Sequence, residues 1–323
     1  MGGSTKQALL QALSAAEGAY ISGQQLAEAL GVSRAAVHKA AQALSAQGYA
    51  LDSAPRRGYR LAGGDPFCAE AVGPYPAPIH IYDTLQSSNL TAKQLALGGA
   101  PHGTLVLTAH QQAGRGRLGR RFESPAGKGI YLSLILRPTL SAADAQSATI
   151  SAAVAVARAV KALCGLELGI KWVNDLYYQG RKVCGILTEA ALDMESGMLD
   201  YAVLGLGFNI TAPPDGWPAE LQDVAGALFE DAPPPGARAA LAAAFLNEFW
   251  ALYHGVPKPE YLPEYRARQA LLGQTVTVTP RNGTPRKAEA LDIDEDCRLV
   301  VRFAGEHNLV PLRGEEVHLG KYL

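Results

Sequence analysis

Apolar residues between Lys6 and Leu44 recur at helical spacing and are broken twice by glycine, which predicts three short helices. The first covers Lys6 to Ala15. Ser22 opens the second as an N-cap, with Gln25 three residues on in capping-box spacing, and Gly31 closes it. Ser33 caps the third, which runs through Arg34, Val37, His38, Lys39 and Leu44 and stops at Gly48. Two such helices joined by a glycine turn make a helix-turn-helix. Two short strand-like pieces, Tyr49 to Asp52 and Gly58 to Leu61, flank Pro55-Arg56-Arg57 and predict a basic wing, and Ala62 to Pro66 reads as a linker.

Beyond Pro78 the period changes. Thr104 to Thr108 reads as a strand and Ser141 to Leu163 as a helix. Leu168 to Trp172, Val183 to Leu187 and Tyr201 to Gly207 read as strands joined by polar turns at Gln179-Gly180-Arg181 and Glu195-Ser196-Gly197. Tight turns force antiparallel neighbours, so an all-parallel doubly wound sheet is excluded and the fold class is α+β. A helix from Gly236 to Tyr253 follows. From Gly273 to Leu319 strict alternation (Thr275 to Thr279) and near alternation (Arg298 to Phe303), with turns at Arg281-Asn282-Gly283 and Asp294-Glu295-Asp296, predict a small all-β barrel. The domains are then 1–64, 65–271 and 272–323.

Composition changes this picture little. With 29 basic and 30 acidic residues in 323, the whole chain names no partner. The first 62 residues carry Lys6, Arg34, Lys39, Arg56, Arg57 and Arg60 against Glu17, Glu28 and Asp52, a local excess of six minus three. Four scattered cysteines without a C-x-x-C pair argue against a zinc site or a disulfide framework and for a reducing cytoplasm. No apolar run is expected to reach the length of a membrane span, because Arg158 and Lys161 interrupt the alanine-rich stretch Ser151 to Leu163.

The densest chemistry is Gln111-Gln112-Ala113-Gly114-Arg115-Gly116-Arg117-Leu118-Gly119-Arg120, directly after a strand. Its G-x-G-x-x-G string is not a dinucleotide fingerprint, because the next segment, Phe122 to Gly129, is rich in helix breakers and gives the pyrophosphate no helix N-terminus. A P-loop fails on spacing. There remains a flexible glycine loop whose Arg115 and Arg117 offer fork-shaped donors to an anion. A second cluster joins Lys171-Trp172-Val173-Asn174-Asp175 to Arg181-Lys182-Val183-Cys184-Gly185-Ile186-Leu187, and pairing through the Gln179-Gly180 turn sets Asp175 across from Lys182 or nearly so.

These strings, with Gly205-x-Gly207-x-Asn209, occur in the order and spacing of the biotin protein ligases, and with the N-terminal helix-turn-helix the chain resembles the bifunctional biotin operon repressors. The resemblance implies a class II synthetase-like central domain, an SH3-like C-terminal barrel, and synthesis of biotinyl-5'-AMP from biotin and ATP with Mg²⁺. The biotin then passes to a lysine of a biotin carboxyl carrier protein. It further implies an adenylate-promoted homodimer that represses at operator DNA. Carried over by position, Ser87, Ser88 and Asn89 contact biotin, with Ser88 standing where the family has threonine. Gln111, Gly114, Arg115, Gly116 and Arg117 cover the vitamin and the adenylate; Leu118 stands where some members carry a further arginine. Lys182 binds the biotin carboxyl oxygen beside Gly185, Asn209 lies near the nucleotide, and Trp217 is a candidate to stack on adenine. Arg117, Lys182 and Asp175 are the expected catalytic residues, and no protein metal site is expected. For DNA the expected contacts are Ser22, Ser33, Arg34, His38, Lys39, Arg56 and Arg57. Two rivals remain at this point: a lipoate ligase, and a transcription factor that senses a small molecule without turnover.

Overall fold

The computed structural model describes residues 5–137, 144–192, 199–234, 236–253, 261–280, 284–312 and 317–319. The chain divides into two compact units. One comprises residues 1–76 with 232–243, the other 77–231 with 244–323.

In the first unit α1 (Thr5–Ala15), α2 (Gly23–Leu30) and α3 (Arg34–Ala46) pack around Leu9, Leu13, Leu26, Val37, Ala41 and Leu44, all buried. The capping box forms as the sequence requires. The Ser22 hydroxyl accepts from the Gln25 amide at 3.2 Å while the Gln25 side-chain oxygen accepts from the Ser22 amide at 3.1 Å, a motif that contributes about 1 kcal/mol to a helix start. Gly31 ends α2 in the left-handed region at φ 64°, and Ser33 caps α3 through the amide of Ala36. The wing strands run longer than the sequence suggests: β1 (Tyr49–Ala54) and β2 (Gly58–Gly64) form an antiparallel ribbon that absorbs the expected linker at Ala62 to Gly64. Ile21 and Tyr59 exchange both backbone hydrogen bonds at 2.9 Å, tying the wing to the start of α2. A short α4 (Ala69–Val72) follows.

The second unit is built on a seven-stranded sheet. Its strands are β3 (Ile79–Tyr82), β4 (Leu105–Thr108), β5 (Gly129–Leu136), β6 (Gly169–Lys171), β7 (Asp175–Tyr178), β8 (Arg181–Leu192) and β9 (Leu199–Asn209). Their order is β3-β4-β5-β9-β8-β7-β6. Only the β3–β4 pair is parallel among the described strands; the others are antiparallel, as hairpin turns demand. The β7–β8 turn has positive φ at Gln179 (48°) and Gly180 (75°), the twist that suits a two-residue hairpin. The expected turns at 195–197 and 281–283, and residues 141–143 of the expected helix, lie outside the described residues.

Helix α5 (Ser88–Leu97) lies on this sheet and buries Ala92 and Ala96 against Val106, Ile135 and Val203. Helix α6 (Asp144–Cys164) is, by length and composition alone, apolar enough to cross a membrane, contrary to the expectation from the sequence. Its surroundings make it a core helix. Ala152 to Ala157 and Val160 are buried, Thr149 bonds Thr188 of β8 at 2.6 Å, and Arg158 reaches Glu264 at 2.8 Å. Helices α7 (Ala237–Tyr253) and α8 (Leu262–Ala267) come next.

The C-terminal strands β10 (Thr275–Pro280), β11 (Arg286–Ile293), β12 (Leu299–Phe303), β13 (Leu309–Leu312) and β14 (Val317–Leu319) form an antiparallel sheet. Its order is β13-β12-β11-β10-β14, with β13 and β14 at its edges. The alternation read at Thr275 to Thr279 appears as Val276 and Val278 buried against an outer threonine face.

Candidate functional site

A cavity of about 270 Å³ opens over the middle of the seven-stranded sheet, just under the ~300 Å³ at which small-molecule sites begin. It is lined by the N-terminus of α5, the Gln111 to Glu123 loop, the β6–β7 turn, and facing residues of β8 and β9. Every expected ligand-binding residue lines it except Gly114. That glycine is structural: a Cβ there would meet the Phe122 carbonyl at 2.3 Å and the Ser124 hydroxyl at 2.7 Å.

Ser88 and Asn89, at the start of α5, are held by side-chain hydrogen bonds rather than left to rotamer choice. The Gln111 oxygen accepts from the Ser88 amide at 2.8 Å and from its hydroxyl at 3.1 Å, and the Gln111 amide donates to Ser124 Oγ at 2.9 Å. Ser133 lies in a fully buried strand, within 2.9 Å of Ser88 Oγ and 2.6 Å of Asn89 Oδ1. Asn89 Nδ2 donates to Glu189 at 2.9 Å and to the Leu187 carbonyl at 3.3 Å. Neither Ser133 nor Glu189 was singled out from the sequence. The available signal was one hydroxyl inside Gly129-Ile130-Tyr131-Leu132-Ser133-Leu134-Ile135-Leu136, since a polar side chain in such a run must find partners. Two glycines of β9 make room for this arrangement. A Cβ at Gly205 would sit 2.0 Å from Asn89 Oδ1, and one at Gly207 would sit 2.5 Å from the Phe122 ring.

At the other end of the sheet Lys182 Nζ lies 2.7 Å from Asp175 Oδ1, both side chains about three-quarters buried. Their register differs from simple opposition. A bulge between Leu176 and Tyr177 pairs Lys182 with Tyr177 and Asp175 with Gly185, so the ion pair is diagonal on one face. Gly185 leaves the space the diagonal needs, for a Cβ there would lie 3.1 Å from Lys182 Nζ. The backbone of Lys182 is pinned on its far side to Val224 and Gly226. Asn174 donates to Asp175 at 3.0 Å and to the Ile186 carbonyl at 2.8 Å, and its oxygen accepts from Arg117 Nη1 at 3.1 Å. Trp172 Nε1 donates to the Cys297 carbonyl and Tyr265 Oη to the Val173 carbonyl, so the turn carrying Asn174 is anchored on the C-terminal segment.

The glycine loop starts no α-helix. It folds back through an Arg115–Arg121 bridge and a bond from Gly116 to Arg120, with one 3-10 turn at Arg117–Gly119 in which Leu118 takes φ 59°. Arg115, Arg117, Arg120, Arg121, Lys171 and Lys182 line the cavity against Glu123 and Asp175, a surplus of six minus two. This field favours anionic ligands. Lys171 responds to it: burial first, then Lys182 and Arg120, hold its ammonium below the ordinary lysine range, against the opposing pull of Asp175. Burial, with Asp175 nearby, pushes Tyr177 up to about 12. The Trp217 end of the cavity is more apolar, with Leu221, Val224 and Ala225. There Asn209 donates to the Gly226 carbonyl at 2.9 Å, while its buried Oδ1 accepts no hydrogen bond among the described residues.

In the first unit Arg34, His38 and Lys39 are exposed on α3, and Arg56 sits at the wing tip with φ 63°. Ser22 and Ser33 serve as helix caps. His38 Nδ1 lies 3.0 Å from Tyr59 Oη, and Arg57 stacks over Tyr20 at 4.1 Å, so both side chains have partners within the first unit.

The biotin/lipoate A/B protein ligase family profile matches residues 82–209, from the last residue of β3 to the end of β9, and a helix-turn-helix domain profile matches residues 5–60. The chain is 34% identical over 305 residues to the bifunctional ligase/repressor BirA of Bacillus subtilis (strain 168), covering 91% of this chain and 92% of that protein. It is 33% identical over 201 residues to the protein of the same name in Escherichia coli (strain K12), covering 60% and 61%. Among solved structures it is similar to the biotin protein ligase from Aquifex aeolicus in complex with biotin and ATP. The TM-score there is 0.61 over 76% of this chain and 99% of that one, and the 20% identity speaks to the fold alone. A ligase profile that begins and ends with the cavity-bearing sheet, a helix-turn-helix profile on the capped N-terminal helices, and a relative alike over nine-tenths of both chains place this chain in the BirA family of bifunctional ligase/repressors.

Proposed function

We propose that this chain joins biotin to ATP as biotinyl-5'-AMP, transfers the biotinyl group to a lysine of a biotin carboxyl carrier protein, and represses transcription from operator DNA when the adenylate is bound. The observation that carries the reading is the Lys182–Asp175 pair. It lines the same cavity as a polar end built on Ser87, Ser88 and Asn89 and a more apolar end built on Trp217, Leu221 and Val224, beside a loop that supplies guanidinium groups.

In the first step the biotin carboxylate attacks the α-phosphorus of ATP; a carboxylate oxygen–phosphorus bond forms and the bond to pyrophosphate breaks. Two anions must approach, so fixed cations lower the barrier more than water does. Lys182 holds the carboxylate oxygen, while Arg115 and Arg117 face the phosphate. The ureido ring rests against Ser87, Ser88, Asn89 and Gln111, and Gly116 lets the loop backbone come close. Asn209 Oδ1, which has no donor among the described residues, suits the exocyclic amine of adenine, beside Trp217. Among the described residues no cluster of three or more acidic, histidine or cysteine side chains could cage a metal. An Mg²⁺ that keeps its ligands on the triphosphate and water needs no protein cage; when bound, the ion would neutralise phosphate charge. The closed arginine loop keeps water from the mixed anhydride.

In the second step the acceptor amine must be neutral to attack the acyl carbon, and a free lysine is mostly protonated at neutral pH. Asp175 takes that proton before attack; as the nitrogen–carbon bond forms, the acyl carbon–oxygen bond to AMP breaks, and the second amine proton leaves with the departing phosphate. Asp175→Asn is therefore expected to slow transfer from preformed adenylate by roughly 10²-fold; a rapid-quench assay at the wild-type rate would remove Asp175 from this role.

Arg34, His38, Lys39, Arg56 and Arg57, on the capped helix and the wing, face phosphate and base edges, and Ser22 and Ser33 present the helix starts. Arg56→Ala is expected to weaken operator binding across sequences and to reduce the salt slope by about one, while ligation is unchanged. A slope unaltered in mobility shifts would place Arg56 off the DNA. We assign the operator complex to a homodimer promoted by adenylate, with domains 1–64, 65–271 and 272–323, in the cytoplasm, where the four free thiols are stable. Pyrophosphate release measured with biotin and then with lipoate tests the ligase reading. Release with biotin alone supports it, release only with lipoate favours the sister activity, and release with neither leaves a ligand sensor.

A further inference from the structure

We infer that Glu189 is a positioning residue for the ligation reaction: it fixes the Asn89 amide in the vitamin pocket and latches the arginine loop, so that one carboxylate serves both pocket and lid. Glu189 lies on β8 beyond Gly185 and Leu187, on the same strand face by alternation, and outside the cavity lining. Its Oε2 accepts from Asn89 Nδ2 at 2.9 Å and its Oε1 from Lys93 Nζ at 2.5 Å, and Arg115 Nη1 stands 4.0 Å from Oε1.

An amide side chain has two different ends. Asn89 offers two donor hydrogens and one oxygen, and only an acceptor on its Nδ2 side sets which end faces the pocket. Glu189 and the Leu187 carbonyl supply acceptors there, leaving Oδ1 beside Ser133. A carboxylate at that place accepts only, so the amide cannot invert without losing both bonds. The same carboxylate is the anion nearest Arg115, whose side chain is half exposed and otherwise held by a glycine-flanked backbone. The charge is stable where it stands. Burial raises the Glu189 carboxyl, but bonds from Lys93 and Asn89 with the charges of Lys93 and Arg115 outweigh burial and hold it below the ordinary range.

This inference rests on the ligase reading above, and the two fail separately. Glu189→Gln keeps the shape and removes the charge. With Mg-ATP and biotin, the variant is expected to show a biotin KM raised about tenfold, the size of one charge-assisted hydrogen bond. The ATP KM should move less than the biotin KM, and AMP released without acceptor should rise relative to biotinylated carrier, as the lid fails to shield the adenylate. Arg115→Gln should reproduce the leak with a smaller change in biotin KM, and the double variant should leak no more than either single one. A melting curve for each variant separates these effects from unfolding, since loss of folded protein lowers kcat and leaves both KM values and the leak ratio alone. Unchanged biotin KM and leak in folded Glu189→Gln, or additive leaks in the double variant, would overturn the inference. Wild-type protein that releases no pyrophosphate would instead overturn the ligase reading. Glu189→Asp, which restores charge at shorter reach, supplies the same test where Gln fails to fold: retention of the Lys93 pair with a raised biotin KM is expected, and a wild-type KM contradicts the account.

Discussion

Lys182→Met is expected to lower the single-turnover rate of adenylate formation by about 10²–10³-fold, the cost of removing one preorganised charge from an acyl phosphate transition state. The reason lies in geometry as much as charge. Lys182 is pinned at the backbone by β7 on one side and by Val224 and Gly226 on the other, and its ammonium is aimed by Asp175 at 2.7 Å. Methionine fills the channel along Gly185 but brings no charge, and Asp175 is left as an uncompensated carboxylate facing the incoming biotin anion. Arginine is not expected to rescue it. The space beside Gly185 fits an ammonium, with a virtual Cβ already 3.1 Å from Nζ, whereas a planar guanidinium needs more width. Pyrophosphate detection under excess enzyme reads the effect directly, and a rate within about threefold of wild type, far short of the loss expected for such a charge, would deny Lys182 this part.

Gly205→Ala should cost biotin affinity at least about tenfold, with a loss of roughly 1–3 kcal/mol in stability from overpacking. The added methyl would fall 2.0 Å from Asn89 Oδ1. Asn89 has nowhere to retreat, because Ser133, Glu189 and the Leu187 carbonyl already hold it and Gly205 pairs with Ser133 and Leu187 on its two neighbouring strands. The vitamin pocket therefore loses its amide before the fold fails. Calorimetric titration with biotin beside a melting curve separates the two effects; unaltered biotin affinity in the folded variant would show that Asn89 does not define the pocket.

How far the sequence reaches depends on whether a feature is local. Ser22 with Gln25, Gly31 and Ser33 encode helix ends within four residues, and the structure has each of them. Gln179-Gly180 likewise encodes a hairpin, and with it the approach of Asp175 to Lys182. The diagonal register does not follow from the sequence, because the bulge after Leu176 is a property of how β7 and β8 twist together. Ser133 and Glu189 escaped for the same reason at longer range. Their partner Asn89 is 44 and 100 residues away, and only the folded sheet brings the three side chains together. Residues 232–243 also join the first compact unit across a long stretch of chain, for instance through Arg238 and Asp65, which no local pattern announces.

In the glycine loop the neighbouring residues decide what the motif means. Gly114, Gly116 and Gly119 satisfy a nucleotide-binding string on spacing, yet no α-helix starts after them and Arg117 instead reaches Asn174 on the β6–β7 turn. The loop thereby joins the two ends of the cavity, which is the arrangement a reactive anhydride requires.

The most direct test of the account is the intact mass of a biotin carboxyl carrier domain after incubation with this protein, biotin and Mg-ATP. One biotinyl group on a single lysine, gained with wild-type protein and gained at least about a hundredfold more slowly with Lys182→Met, is the predicted result. An unmodified carrier in the presence of folded wild-type protein would contradict it.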